Sequence, residues 1–114
     1  CTNKREGLSR LLLEALQMTH RFEAICGPDT FQIYKPDPEI LRRTISRAGG
    51  ALERAIMVGD SETDIATARA AGIPIVAVDF GYSEIPVDKL TPDRLISHYD
   101  ELVPAVLELA PPAT

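Results

Sequence analysis

Two continuous apolar runs constrain the fold of this chain more than any other feature. Residues 55–58 (AIMV) and 74–80 (PIVAVDF) have the composition of strands that are buried on both faces of a sheet. Helical patterns precede and follow each run, and residues 95–96 and 22–26 add two short strand candidates. Alternating strands and helices predict an α/β fold, in which a doubly wound parallel sheet lies between two layers of helices.

Capping residues set the predicted limits of the helices. A helix is predicted from Pro38, because Asp37 is a favoured N-cap and proline is favoured at the first helical position. Gly49 and Gly50 should end it, and Ser61 and Gly72 should bound the next helix in the same way. Residues 6–17 and 100–109 complete the set. The apolar faces comprise Leu8, Leu11, Leu12, Ala15 and Leu16 in the first helix, and Ile40, Leu41, Thr44, Ile45 and Ala48 in the second.

Composition excludes several classes of function. The 114 residues carry a net charge of −5, which leaves no basic surface for nucleic acid or an anionic membrane. No apolar run approaches the length of a membrane span, and two cysteines are too few for a disulfide framework. We therefore expect one cytoplasmic domain over residues 1–110, with 111–114 as a tail. Its oligomeric state is left open.

The stretch from 57 to 72 (MVGDSETDIATARAAG) contains the strongest candidate site. Asp60 comes directly after an apolar run, and Asp64 follows one helical turn later. Ligands of parallel sheets bind beyond the carboxyl ends of the strands, so Asp60 is placed where a site is expected, and Asp79 and Thr2 are candidates for the same edge. A plain capping role for Ser61 and Asp64 explains part of the pattern equally well. Spacing alone names no reaction.

Three motifs in order resemble the haloacid dehalogenase superfamily. Residues 2–4 (TNK), 35–38 (KPDP) and 59–64 (GDSETD) resemble its second, third and fourth motifs. Residues 71–73 (AGI) and 81–82 (GY) look most like the phosphoglycolate phosphatase branch. The resemblance extends from about residue 2 to 109 and implies a three-layer, Rossmann-like core.

The resemblance implies a Mg²⁺-dependent phosphomonoesterase that acts on a small phosphorylated metabolite such as 2-phosphoglycolate. Lys35, Asp60 and Asp64 would be catalytic, and Asp60 and Asp64 would hold the metal. Thr2, Asn3 and Lys35 would bind the phosphoryl group. These residue types suit the reaction, because phosphoryl transfer spreads negative charge that a metal ion, an ammonium group and hydrogen-bond donors stabilise.

One motif of that family is missing from the sequence. The family's first motif, Asp-x-Asp, supplies the nucleophile and the general acid-base, and no Asp-x-Asp occurs in these 114 residues. The chain thus resembles the C-terminal part of such a core domain without its nucleophile strand or cap. We expect the polypeptide to extend upstream and the 114 residues alone to be inactive.

Several alternatives stay open at this point. A phosphomutase or a pyrophosphatase stays open within the superfamily, because the residues that distinguish these activities lie mostly in the missing cap. A dehalogenase is disfavoured because those enzymes use no metal. A non-catalytic truncated module is the alternative from another class. Ser61 is read as an N-cap, Asp79 as a strand-end residue, and His20, His98 and Tyr82 are given no role.

Overall fold

A three-stranded parallel sheet lies at the centre of the computed structural model, which describes residues 1–81 and 86–110. Its strands are β1 (Met57–Gly59), β2 (Ile75–Val78) and β3 (Arg94–Ile96), in the order β1-β2-β3. Both pairings are parallel. The predicted α/β class and the three predicted strands along this part of the chain are confirmed.

Five α-helices are described, and most of their ends lie where the capping residues predicted. They are α1 (Glu6–Ala15), α2 (Pro28–Phe31), α3 (Pro38–Arg47), α4 (Glu62–Ala71) and α5 (Leu102–Leu109). The Asp37 carboxylate accepts a hydrogen bond from the Glu39 N–H at 3.0 Å, and the Ser61 hydroxyl accepts one from the Asp64 N–H at 3.4 Å. Gly72 ends α4 at φ 74°, a left-handed conformation that glycine adopts without steric cost.

Strand β2 is buried on both faces and separates two apolar clusters. On one face, Ile75 and Ala77 pack with residues of α3 and α4. On the other face, Val76 and Val78 pack with Ile96 of β3 and Ala105 of α5. Helices thus cover both sides of the sheet, as predicted for a doubly wound arrangement. We call residues 38–81 and 86–110 the sheet unit.

The prediction that the first apolar run is buried on both faces was wrong. Val58 of β1 is 41% exposed, whereas Met57 beside it is buried. Strand β1 lies at the edge of the sheet, so one of its faces lacks the cover that β2 receives from both sides. Ala48 is also exposed, because α3 ends at Arg47 and Ala48 follows the helix as its C-cap residue.

Residues 1–37, which we call the N-terminal segment, are organised differently. The apolar face of α1 is exposed: Leu8, Leu11, Leu12 and Leu16 are each about half or more accessible. The predicted strand over residues 22–26 does not form. Its Cys26 carbonyl accepts a backbone bond from the Thr2 N–H at 3.0 Å, but a strand requires a ladder of such bonds.

Polar side chains tie the N-terminal segment together. The Asp29 carboxylate accepts from the Glu6 N–H at 2.8 Å, and the Thr30 hydroxyl donates to the Glu6 carboxylate at 2.6 Å. Gly27 lies against the backbone of Lys4 and Glu6, so closely that a Cβ there would overlap both. The turn before α2 therefore requires glycine for close approach of two backbone segments.

Two expectations lie outside the described residues: Tyr82, and the tail over residues 111–114. Within the described ranges, no helix has both the length and the apolar character needed to cross a bilayer.

Candidate functional site

A buried ion pair joins the N-terminal segment to the sheet unit. Lys35 lies in the loop between α2 and α3, and Asp64 lies in the first turn of α4. The Lys35 Nζ is 2.5 Å from Asp64 Oδ1, and the two side chains are only 11% and 7% exposed. Residues that are far apart in sequence thus meet at the carboxyl end of β1.

Asp64 is held as a carboxylate by several donors. Its Oδ2 accepts from the Asp60 N–H at 3.0 Å and from the Ser61 hydroxyl at 3.1 Å, while Oδ1 faces Lys35. Burial raises the pKa of Asp64, but the hydrogen bond and positive charge of Lys35 outweigh it and, with the Asp60 and Ser61 donors, leave the pKa below its usual range. Asp64 is therefore ionised at neutral pH and fixes the position of the Lys35 ammonium group.

Asp60 lies beside this ion pair, directly after β1. It borders a cleft of about 450 Å³, together with Lys35, Asp64, Val58 and Tyr99 among others. The site carboxylates fill space that two glycines leave free. A Cβ at Gly59 would overlap the Asp64 side chain, and a Cβ at Gly81 would overlap the Asp60 side chain.

Of the second-motif residues Thr2 and Asn3, only Asn3 lies beside Lys35. The Asn3 side chain contacts the backbone of Lys35, where its Oδ1 accepts from the Lys35 N–H at 2.8 Å and its Nδ2 donates to the Lys35 carbonyl at 3.3 Å. The Thr2 hydroxyl accepts from the Lys4 N–H at 3.1 Å. Thr2 borders a separate, more apolar groove with Leu12 and Phe22, so the structure brings Asn3 but not Thr2 to Lys35.

Sequence reasoning missed an aromatic pair at the cleft. Phe80 and Tyr99 both border it and pack edge to face, with ring centroids 4.9 Å apart and planes at 74°. No sequence signal connected Tyr99 to the site, because it follows β3 and approaches the cleft only through the fold. Asp79 borders a neighbouring cleft of about 410 Å³ and accepts from the Ser97 hydroxyl at 2.6 Å.

The donor set can be compared with the needs of a divalent cation. Among the described residues, no three His, Cys, Asp or Glu side chains lie close enough together to hold a metal ion. Mg²⁺ commonly binds one or two carboxylates and completes its shell with water and substrate phosphate oxygens. Asp60 at the cleft suits that mode, whereas the Asp64 oxygens already accept three hydrogen bonds within the protein.

Comparison with known proteins places the chain among hydrolase sequences. The family described as haloacid dehalogenase-like hydrolase matches residues 1–78. A phosphoglycolate phosphatase of Mesorhizobium japonicum is 56% identical over 108 residues, which are 95% of this chain and 48% of that protein. A phosphoglycolate phosphatase of Agrobacterium fabrum is 47% identical, over 95% of this chain and 46% of that protein. The chain spans about half the length of these curated relatives.

Solved structures give the same picture. A HAD family hydrolase from Deinococcus radiodurans, with bound phosphate and sodium, superposes with a TM-score of 0.78 at 26% identity, over 97% of this chain and 52% of that one. A predicted phosphoglycolate phosphatase from Haemophilus somnus has a TM-score of 0.74 at 27% identity, over 81% of this chain and 41% of that one. Both likenesses cover most of this chain and about half of the matched structure.

Proposed function

The chain belongs to the haloacid dehalogenase-like hydrolases, and we propose on this premise that it forms the phosphate-binding and metal-binding part of a phosphomonoesterase. The proposed enzyme hydrolyses a small phosphorylated metabolite such as 2-phosphoglycolate. Two lines of support agree: the relatives described above are phosphoglycolate phosphatases, and the cleft beside β1 combines an ammonium group with two carboxylates.

The observation that carries the proposal is the Lys35–Asp64 ion pair beside Asp60. A lysine in a loop is ordinarily solvated, and its burial against a carboxylate has a desolvation cost that surface lysines do not have. This arrangement presents a fixed positive charge at the end of a parallel sheet, where substrates of such sheets bind. A phosphate dianion that enters the cleft would meet that charge next to a carboxylate able to bind a cation.

Each site residue has a proposed task. Lys35 binds a phosphoryl oxygen and offsets its charge. Asn3, through its backbone N–H, donates a hydrogen bond to the same group. The Thr2 hydroxyl borders a separate groove, so its predicted hydrogen bond to the phosphoryl group would require Thr2 to turn toward Lys35. Asp60 is the direct carboxylate ligand of Mg²⁺, and Asp64 supports it through Lys35 or through a metal-bound water. When bound, Mg²⁺ would neutralise charge that develops on the phosphoryl oxygens.

The nucleophile is proposed to come from an Asp-x-Asp motif outside these 114 residues. The first aspartate of that motif would attack the phosphorus and form an aspartyl-phosphate, while the bond to the alcohol oxygen breaks and the second aspartate protonates the departing alcohol. Water, deprotonated by the second aspartate, would then hydrolyse the aspartyl-phosphate to inorganic phosphate. The Lys35 charge, close to such a carboxylate, would also keep it ionised.

The proposal is tested in the gene product that carries this sequence. We expect hydrolysis of 2-phosphoglycolate that requires added Mg²⁺ and is lost on chelation. Asp60→Asn should lower kcat by about a hundredfold or more, because it removes a charged ligand of the metal. Lys35→Ala should do the same, whereas Lys4→Ala, at an exposed position outside the cleft, should stay within about twofold.

Three results would contradict the proposal. One is unchanged kinetics in Asp60→Asn. Another is turnover of phosphate esters by the 114-residue chain alone, which would require a nucleophile among its own residues. The third is a gene product without any Asp-x-Asp motif or phosphatase activity, which would favour a non-catalytic module. Preferred turnover of inorganic pyrophosphate, or interconversion of sugar phosphates, would assign a different member of the family.

A further inference from the structure

We propose that Asn3 is a positioning residue that fixes the backbone of Lys35, so that the ammonium group stays aligned with Asp64 and the cleft. The inference rests on the proposed phosphate-binding role of Lys35. It gives the Asn3 side chain a different task from direct phosphate contact, because both ends of its amide are already bonded to Lys35.

Lys35 needs such support because no regular element holds it. It lies between α2, which ends at Phe31, and α3, which begins at Pro38. Gln32 at the start of this loop has a left-handed conformation with φ 59°, so the chain turns sharply there. Asp64 fixes only the far end of the side chain, at Nζ. The backbone of Lys35 therefore requires a second constraint.

Asn3 provides that constraint from the opposite side. Its carbonyl oxygen accepts from the Lys35 N–H at 2.8 Å, and its amide nitrogen donates to the Lys35 carbonyl at 3.3 Å. An amide side chain can make this pair of bonds because it carries one donor group and one acceptor group. The assignment of oxygen and nitrogen follows from the backbone partners, since the Lys35 N–H can only donate and its carbonyl can only accept.

The backbone around Asn3 is itself anchored. The Thr2 N–H donates to the Cys26 carbonyl at 3.0 Å, and the Lys4 N–H donates to the Thr2 hydroxyl at 3.1 Å. Gly27 lies against the Lys4 carbonyl, where a Cβ would not fit. The backbone of Asn3 is therefore held in place, so its side chain can hold the Lys35 backbone in place in turn.

The test is a double-variant comparison in the gene product, measured as kcat/KM for 2-phosphoglycolate with Mg²⁺. Asn3→Ala should lose about tenfold, because two exposed hydrogen bonds of modest strength are removed. Asn3→Asp should lose less, about threefold, because its carboxylate still accepts from the Lys35 N–H but cannot donate to the Lys35 carbonyl. Lys4→Ala is the matched control in the same turn and should stay within about twofold.

The background of Lys35→Ala separates positioning from other roles. If Asn3 acts through the Lys35 ammonium group, Asn3→Ala should cause no further loss once that group is absent. A tenfold further loss in the double variant would overturn the proposal and assign Asn3 a direct contact with substrate or a general structural role. Melting temperature separates those two, because only a structural role should lower it in both backgrounds.

A readout without turnover completes the test. In the gene product that carries this sequence, hydrogen exchange of the Lys35 amide should accelerate in Asn3→Ala and stay slow in Asn3→Asp, since only the former loses its acceptor. Equal exchange in wild type and Asn3→Ala would overturn the inference. Full activity of Lys35→Ala would instead refute the proposed function, so the two failures are distinguishable.

Discussion

The N-terminal segment and the sheet unit are held together by different forces. In the sheet unit, β2 and its neighbours bury apolar side chains almost completely, with Ile75, Val76 and Ala77 at 0% exposure. In the N-terminal segment, α1 leaves its leucines exposed, and its order comes from side chains such as Glu6 and Thr30 that bond to one another and to nearby backbone. Apolar burial acts in one region and polar tethers act in the other.

This contrast matters because the candidate site takes residues from both regions. Asp60 and Asp64 belong to the sheet unit, where a strand end and a helix start position them. Asn3 and Lys35 belong to the N-terminal segment, where hydrogen bonds position them. The Lys35–Asp64 pair joins the two, so perturbation of either region should be detectable at the site.

The largest expected effect is on the ion pair itself. Asp64→Ala removes the carboxylate that pairs with the buried Lys35 ammonium group, so we expect a loss of about 3–5 kcal/mol in unfolding free energy. Urea denaturation measures it. Glu108→Ala is the control, because it breaks an exposed pair with Arg94 at 2.8 Å and should cost about 1 kcal/mol or less. Equal losses in the two variants would mean that burial does not distinguish the pairs.

A second pair of truncations compares the two regions directly. Ile75→Ala opens a cavity in the sheet unit and should cost about 2–5 kcal/mol. Leu11→Ala removes a side chain that is 64% exposed on α1 and should change stability by about 0.5 kcal/mol at most. If Leu11→Ala proves as costly as Ile75→Ala when measured by urea denaturation, the α1 face is covered in solution and the contrast fails.

The stability of the N-terminal segment should depend on the close approach of Gly27 to the backbone of Lys4 and Glu6 more than on apolar packing. Gly27→Ala places a Cβ onto the backbone of Lys4 and Glu6, and the resulting overlap should cost about 1–3 kcal/mol. Gly7→Ala lies in helix α1 with open space around its Cβ position and should stabilise by up to about 1 kcal/mol. Thermal melting of both variants gives the comparison, and a stabilising Gly27→Ala would contradict the observed approach.

The smallest effect is a pH dependence of the N-terminal segment. The hydrogen bond from Thr30, followed by that from Arg10, holds the pKa of Glu6 below its usual range. Because the folded state favours the carboxylate, its contribution is full above the unfolded pKa of about 4.3 and is lost as the pH falls through the lowered folded pKa. Glu6→Gln should therefore flatten the acid side of a stability profile. An unchanged slope would show that the Glu6 carboxyl binds its proton equally well in the folded and unfolded states.

Sequence patterns predicted the sheet unit well because its apolar runs and helix caps can each be recognised within a short stretch of sequence. The runs around Met57 and Ile75 and the caps at Asp37, Ser61 and Gly72 each carry their own signal, and the structure places them as expected. The strand over residues 22–26 failed because a strand depends on a partner that its own sequence does not specify. The predicted burial of Val58 was wrong for a related reason, since an apolar run does not reveal which strand lies at the sheet edge.

The same reasoning explains what could be predicted of the site. The motif resemblance assigned Lys35, Asp60 and Asp64 to one site, and in the structure all three border the same cleft. The Asn3 contact with the Lys35 backbone and the approach of Tyr99 to the cleft depend on how loops fold back on one another, which no periodicity encodes. The functional roles of Asn3, Lys35 and Asp60 are predictions that the activity variants test.

The two glycines beside the carboxylates have a consequence for how this sequence can vary. Gly59 and Gly81 contribute no functional group, yet the Asp64 and Asp60 side chains occupy the volume in which any larger residue would have to begin. In a library randomised at these two positions and selected for activity, glycine should dominate even though neither residue carries a reactive side chain. The positions of the two carboxylates thereby restrict the size of the neighbouring residues. More positions around the cleft are constrained than its reactive groups alone would suggest.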